Sequence, residues 1–183
     1  MINLILIRHG QSVWNLENKF TGWYDADLTD KGIEEAEKAG LLIKKLGIEF
    51  NYGFTSYQTR AIKTFDTILK TSGIKIPNII KAWQLNERHY GGLQGLNKEE
   101  TAKKHGLDQV MVWRRSYDIP PPAQDREDPG HPINSSIYKN LDPSLIPDAE
   151  SLKDTFNRTV PYYLENIEPL LKKSENVLIS AHG

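Results

Sequence analysis

A short apolar run that stops abruptly in Arg-His-Gly opens the chain, and a second run ending in His-Gly closes it. The first is Met1-Ile2-Asn3-Leu4-Ile5-Leu6-Ile7-Arg8-His9-Gly10, followed by Gln11 and Ser12. Ile2 to Ile7 reads as a strand buried on both faces of a parallel sheet, because such strands are apolar throughout and do not alternate. In open α/β sheets, ligands bind just outside the carboxyl ends of the strands, which is where Arg8, His9 and Gly10 fall. The second run, Asn176-Val177-Leu178-Ile179-Ser180-Ala181-His182-Gly183, repeats the arrangement. Two strands that each deliver a histidine to the same edge of one sheet restrict the fold strongly.

The residues between them supply alternating strands and helices. Residues 11–28 read as a short helical turn and an ordered loop, with Thr21-Gly22 at a tight bend. Thr29 or Asp30 caps a predicted helix running to about Leu46, with Ile33, Ala36, Gly40 and Ile43 on its inner face and Gly47 as its stop. Tyr52–Ser56 reads as a second strand. The next helix, about 57–71, carries Ala61, Ile62, Phe65, Ile68 and Leu69 at helical spacing and Arg60 in its first turn. Ile79-Ile80 marks a third strand. The alternation predicts a three-layer α/β/α fold with a mostly parallel central sheet, in a single domain over 1–183.

Beyond this lies a loop dense in charge, aromatics and glycine, Trp83 to Gly92. Asn97 with Glu100 resembles a capping box that opens a short helix ended by Gly106. Residues 118–150 hold seven of the ten prolines and no periodic pattern. An irregular excursion of that length is expected to be a lid or binding loop. A last helix starts near Ser151 with Leu152, Thr155, Phe156, Thr159, Tyr163 and Ile167 inward, disturbed by Pro161.

Composition narrows the chemistry. With a net charge of -1, the chain has no global basic field to draw it to nucleic acid or a membrane surface, so attraction for an anion must be local. The absence of cysteine excludes disulfides, thiolate catalysis and Cys-based zinc sites. No apolar stretch approaches spanning length and no secretory leader is legible, which predicts a cytoplasmic protein.

Against that background, His9 stands out. Arg8 beside it disfavours a second positive charge and so favours a neutral, nucleophilic imidazole. Gly10 lets backbone approach a ligand, and Ser12 and Asn15 add hydrogen-bonding groups. Arg60, where a helix begins after a strand, suits phosphate. Glu87, beside Arg88, His89 and Tyr90, is a candidate general acid and base. Arg114 and Arg115 suit carboxylate or phosphate recognition. Each of these also has a plainer reading as a surface or structural residue. His105 and His131 read as surface histidines, and no carboxylate–histidine grouping reads as a metal site. Together the residues describe a metal-free phosphoryl-transfer site in which Arg8, Arg60 and His182 neutralise the transferring group.

The motifs Leu6-Ile7-Arg8-His9-Gly10-Gln11-Ser12, Phe20-Thr21-Gly22-Trp23, Thr55-Ser56 with Arg60, Leu85-Asn86-Glu87-Arg88-His89-Tyr90-Gly91, Trp113-Arg114-Arg115 and Ala181-His182-Gly183 resemble, in order, those of the 2,3-bisphosphoglycerate-dependent phosphoglycerate mutases of the histidine phosphatase superfamily. The resemblance implies a phosphoglycerate mutase-like fold and interconversion of 3-phosphoglycerate and 2-phosphoglycerate in glycolysis and gluconeogenesis. It implies 2,3-bisphosphoglycerate as primer, no metal, and phosphoglycerates as the partners, with neither nucleic acid nor membrane. It is also compatible with a homo-oligomer. His9 would carry the phosphoryl group, Glu87 the proton, and His182, Arg8 and Arg60 the charge in transit. Gly10, Gln11, Ser12, Asn15, Thr21, Gly22, Tyr90, Lys98, Arg114, Arg115 and Gly183 would hold the substrate, along with Arg8, Arg60 and Glu87.

The same resemblance implies a helix and a strand pair after the second His-Gly, and these lie beyond Gly183. Those strands would pair beside the first, so Ile2–Ile7 is expected to be an exposed apolar edge and His182 to sit at a fraying end. Two other readings stay open at this point: a histidine phosphatase acting on small phosphorylated metabolites, and an inactive ligand-binding truncation.

Overall fold

Four parallel strands form one sheet in the order β1-β4-β2-β3, with β1 at Leu4–Arg8, β2 at Tyr52–Thr55, β3 at Asn78–Lys81 and β4 at Val177–Ala181. The computed structural model describes residues 2–183, and Met1, part of the opening stretch, lies outside them. The helices are α1 (Val13–Leu16), α2 (Asp30–Leu46), α3 (Thr59–Ser72), α4 (Lys98–His105), α5 (Leu107–Arg115), α6 (Leu152–Tyr162) and α7 (Glu168–Lys172). Contacts divide the chain into two compact units. One comprises the chain up to Val13, Ala26–Asn86 and Arg158–Gly183; the other comprises Trp14–Asp25 and Glu87–Asn157.

The first unit is a three-layer α/β structure in which the sheet separates two apolar clusters. On one face Ile43 of α2, Phe65 and Ile68 of α3, and Leu178 of β4 pack with Ile5 and Ile7. On the other, Phe54, Val177 and Ile179 pack with Ile167 and Leu170. The alternation along β4 follows from the strand period of two. Residues 177–180 of this strand are buried on both sides, since it lies inside the sheet with helices over both faces. Gly53 is a glycine in β2 because the Phe65 ring occupies the place of its side chain: a Cβ there would come within 2.3 Å of Phe65 Cζ.

β1 departs from the expectation of burial on both faces. It lies at the sheet edge, paired on one side only, and Leu6 is 69% exposed. Beside it a mainly apolar hollow of about 470 Å³ is lined by Leu4, Leu6, Val160, Tyr163 and Ile179 among others. β3 is the other edge, with Ile79 and Ile80 exposed.

α2 begins as the sequence predicts, with the Thr29 hydroxyl accepting the Gly32 N–H at 3.1 Å, and stops at Gly47 in the left-handed region (φ 63°). Its buried face is Gly32, Ala36, Gly40 and Ile43, so the assignment of Ile33 to the inner face is corrected. The cause is a backbone contact. Gly10 and Gln11 approach Gly32 so closely that a Cβ on Gly32 would lie 2.1 Å from the Gln11 carbonyl oxygen, and one on Gly10 would lie 2.2 Å from that of Gly32. That contact turns residue 32 inward and residue 33 out.

The last helix is interrupted by a π-helical turn, Tyr163–Ile167, between Pro161 and Pro169. Pro169 has no N–H to donate to the Glu165 carbonyl four residues back and its ring crowds that carbonyl, and one wide turn absorbs both defects. The extra residue shifts the helical register. The expected inward stripe therefore holds at Ile167 but fails earlier, where Leu152 and Phe156 are exposed. Thr159 instead donates its hydroxyl proton to the Gln84 carbonyl.

In the second unit, Phe20, Leu93 and Val110 form a small core with Tyr90, Ala102 and Trp113. Asn97 caps α4 by accepting the N–H groups of Glu99 and Glu100, as its spacing with Glu100 suggests. α5 follows directly from Gly106 and has no counterpart in the sequence reading, because only Val110 of its nine residues is buried and the periodic signal is weak. Residues 118–150 are irregular apart from short 3₁₀ turns at Pro132–Asn134, Ser136–Tyr138 and Pro143–Leu145. They are pinned by buried Tyr138 and Ile146. His131 is also fully buried, not on the surface; its Nδ1 accepts the Ile133 N–H and its Nε2 faces Asp148 at 3.2 Å. His105 is exposed, as expected. Among the described residues no helix is long and apolar enough to cross a membrane.

The Gly10–Gly32 contact makes a signed prediction. Gly→Ala within a helix normally stabilises by about 1 kcal/mol, but Gly32→Ala is expected to destabilise by about 1–3 kcal/mol through overpacking. Chemical denaturation of both proteins checks this, and a stabilised variant contradicts the contact.

Candidate active site

β1 and β4 pair in parallel with Arg8 opposite Ala181, and the ladder continues one step further as the His9 N–H donates to the Ala181 carbonyl at 3.0 Å. This register brings the next residues, His9 and His182, side by side at the carboxyl edge, with ring centroids 5.0 Å apart. His9 is only 3% exposed. Its Nδ1 lies 2.7 Å from the Gly10 carbonyl oxygen. A carbonyl only accepts, so Nδ1 carries the proton and Nε2 keeps its lone pair.

The imidazole stays neutral. Burial is the largest cause, and the Arg60 and then the Arg8 charge add to it against the opposing Gly10 hydrogen bond, pushing His9 down to about 3. His182 is held well below the ordinary histidine range for the same reasons: burial first, then Arg60, His9, Arg158 and Arg8. Two neutral histidines beside three arginines form a pocket built to receive negative charge.

Residues around them fix these side chains. Arg60 is fully buried in the first turn of α3. Thr64 donates its hydroxyl proton to the Arg60 carbonyl and accepts the Gly10 N–H at 3.1 Å, tying α3 to the residue after His9. The Ser56 hydroxyl accepts the Gln58 N–H and is hydrogen-bonded to His182 Nε2 at 2.9 Å, which anchors His182 near the end of the chain. Gly183 lies against Arg8, since a Cβ there would fall 2.8 Å from Arg8 Cδ. Arg158 Nη1 donates to the carbonyls of Gln84 and Asn86.

Two candidates of this unit are engaged in structure. Gln11 donates its N–H to Glu35, and its carbonyl accepts from the Thr29 N–H and hydroxyl. Ser12 is fully buried and bridges to Leu28.

The remaining candidates belong to the second unit. Thr21 is buried, its carbonyl accepting the Tyr24 N–H, and Gly22 takes φ 57° with Gln94 against it. This is the tight bend read from the sequence. Asn15 lies on α1, and Lys98 opens α4 with its ammonium 5.9 Å from the Phe20 ring. Glu87 is half-buried. Arg88, buried, donates from Nη2 to the Arg114 carbonyl at 3.1 Å and lies 4.6 Å from the Tyr90 ring centroid. The structure thus brings Arg88, Tyr90 and Arg114 together, whereas Arg115 is exposed.

Ser56, Thr64, Arg88, Glu150 and Arg158 were not singled out as site residues from sequence. All five act on backbone groups or on another side chain's orientation, which leaves no spacing signal.

Residues 4–131 match the histidine phosphatase superfamily (branch 1). The chain is 54% identical to 2,3-bisphosphoglycerate-dependent phosphoglycerate mutase 2 of Lactiplantibacillus plantarum, over all of this chain and 80% of that protein. It belongs to that mutase family. A second member, from Hydrogenobaculum sp., is 52% identical over all of this chain and 74% of its own length. Among solved structures, phosphoglycerate mutase from Bacillus anthracis superposes with a TM-score of 0.69 at 23% identity, covering 100% of this chain and 75% of that one. A mycobacterial glucosyl-3-phosphoglycerate phosphatase gives 0.73 at 20% identity, covering 100% and 76%. At these identities the likeness is one of fold, and it is the fold of the mutases and their phosphatase kin.

For this mutase-family member, the depressed histidines set the acid limb of stability. Unfolded histidines protonate near 6.5, whereas His9 does so only near 3, so between those pH values the unfolded chain binds more protons. Stability from this source is intact above pH ~6.5 and falls by up to ~1.4 kcal/mol per pH unit for His9 as the pH drops towards 3. His9→Asn is expected to flatten that limb in denaturant titrations, and an unchanged slope would contradict a buried neutral His9.

Proposed function

We propose that this chain interconverts 3-phosphoglycerate and 2-phosphoglycerate through a phosphohistidine at His9, as a cytoplasmic enzyme of glycolysis and gluconeogenesis. The observation that carries the reading is the buried neutral His9, its Nδ1 proton engaged by the Gly10 carbonyl, in a chain 54% identical to a mutase. The residues fit an anionic primer, since Arg8, Arg60 and two uncharged histidines leave the pocket net positive until a phosphate enters. That primer, 2,3-bisphosphoglycerate, supplies the phosphoryl group that charges His9.

His9 Nε2 attacks phosphorus, a P–N bond forms as the P–O ester bond breaks, and the leaving oxygen takes a proton from the Glu87 carboxyl. In the return step Glu87 carboxylate accepts the proton of a phosphoglycerate hydroxyl while the P–N bond breaks and a new P–O bond forms. Arg8, Arg60 and His182 stabilise the charge spread over the equatorial oxygens, which is where most catalysis of phosphoryl transfer lies. His182 contributes as a neutral donor oriented by Ser56. The phosphate and carboxylate of the substrate fall to Gly10, Gln11, Ser12, Asn15, Thr21, Gly22, Tyr90, Lys98, Arg114, Arg115 and Gly183.

Conversion of 3-phosphoglycerate to 2-phosphoglycerate, followed with and without 2,3-bisphosphoglycerate, tests the reading. Bisphosphate-stimulated turnover that survives a chelator is the expected result, and phosphate release exceeding isomerisation would displace it in favour of a phosphatase. His9→Ala is expected to abolish turnover and acid-labile phosphorylation of the protein together. Glu87→Gln is expected to slow turnover by ~10²–10⁴-fold while sparing ligand binding. A Glu87→Gln enzyme at full rate would remove Glu87 from the proton path.

A further inference from the structure

Glu150 is a carboxylate only 3% exposed, at the end of the irregular 118–150 segment. α6 is capped without its help: Asp154 accepts the N–H and hydroxyl proton of Ser151, and the Ser151 hydroxyl accepts the Asp154 N–H. That reciprocal box satisfies the helix start. Glu150 turns the other way, towards the backbone of His89. Its Oε2 accepts the His89 N–H at 2.8 Å, and its own N–H donates to the His89 carbonyl at 2.9 Å.

Two opposed bonds to one residue fix both peptide planes that flank it. The rest of the turn is locked in series. His89 Nδ1 accepts the Gly91 N–H at 2.8 Å, and the Gly92 N–H donates to the Pro122 carbonyl at 2.8 Å. Gly91 takes φ 55°, where a Cβ would lie 2.1 Å from the Pro122 oxygen. Burying a carboxylate is costly, and a charge-assisted bond to a backbone N–H is among the few arrangements that offset it. The cost is spent two residues from Glu87.

We infer that Glu150 is a positioning residue, clamping the turn at His89 so that the Glu87 carboxyl is presented in one orientation for proton transfer. This rests on the reading of Glu87 as the proton carrier. Because displacement of a catalytic group by about 1 Å costs ~10²-fold, loss of the clamp should appear in turnover and not in affinity.

The test compares Glu150→Ala, Glu150→Gln and Glu87→Gln/Glu150→Ala with wild type in the intact chain. Glu150→Ala is expected to lower kcat by ~10–100-fold with KM changed less than ~3-fold. Glu150→Gln, whose amide oxygen can accept the same N–H, is expected to stay within ~3-fold of wild type. The double variant is expected to be no slower than Glu87→Gln alone, since Glu150 acts only through Glu87. Additive losses, a full-rate Glu150→Ala, or a Glu150→Gln as slow as Glu150→Ala would each overturn the inference. Amide hydrogen exchange over residues 87–92 gives a readout that needs no turnover: faster in Glu150→Ala, unchanged in Glu150→Gln. If wild type lacks mutase activity, the mutase reading fails by itself and this exchange arm decides whether the clamp exists. Should Glu150→Ala not fold, Glu150→Asp, with its carboxylate withdrawn by one methylene, replaces it in both arms.

Discussion

The two histidines of the candidate site depend on the register of one parallel strand pair. Arg8 faces Ala181, so the next residue on each strand is a histidine, and both rings emerge together at the carboxyl edge of the sheet. A slip of one residue would send one histidine to the opposite face, since side chains alternate along a strand. The register is protected by burial. Leu178 must meet the α2–α3 cluster while Val177 and Ile179 meet the other, and a one-residue slip would reverse both. Packing in the core therefore decides where the reactive groups lie.

The same edge shows how a reactive imidazole is prepared. Burial alone would make a histidine neutral, but it would leave the tautomer undecided. The Gly10 carbonyl decides it, and Gly10 is in turn immobilised through its N–H to Thr64 and its contact with Gly32 of α2. Two helices packed for ordinary apolar reasons thus hold a backbone carbonyl that selects which nitrogen of His9 bears a proton. Arg60 has two effects, because its charge both disfavours protonation of the two histidines and favours an incoming anion.

Where sequence reasoning failed, a tertiary constraint had overridden local pattern. Ile33 reads as inward from helical spacing, but the close contact of Gly10 with Gly32 puts residue 32 inside in its place, while Ala36, Gly40 and Ile43 face inward as expected. Leu152 and Phe156 read as inward from helical spacing, but a π turn at Tyr163–Ile167 breaks the register and both are exposed. His131 reads as a surface residue in the sequence because nothing in its spacing shows the Ile133 N–H and Asp148 that it meets when buried. The continuous apolar run of β1 reads by itself as burial on both faces, whereas the family resemblance implies an exposed edge, and the edge is what forms, with Leu6 exposed.

The sequence by itself determined the alternation of strands and helices, the caps at Thr29 and Asn97, the bend at Gly22, and the two His-Gly strand ends with Arg8 and Arg60 nearby. These are local matters, written in period, capping residues and turn chemistry. Only the tertiary structure decided which histidine nitrogen is protonated, that Ser56 orients His182, that Thr64 joins α3 to Gly10, and that Glu150 clamps His89. The last three are hydrogen bonds between groups distant in sequence, and the first, to the neighbouring Gly10 carbonyl, depends on the distant contacts that hold Gly10 in place. Backbone donors and acceptors are the same in every residue, so no spacing of side-chain types announces them; only the folded chain assigns their partners.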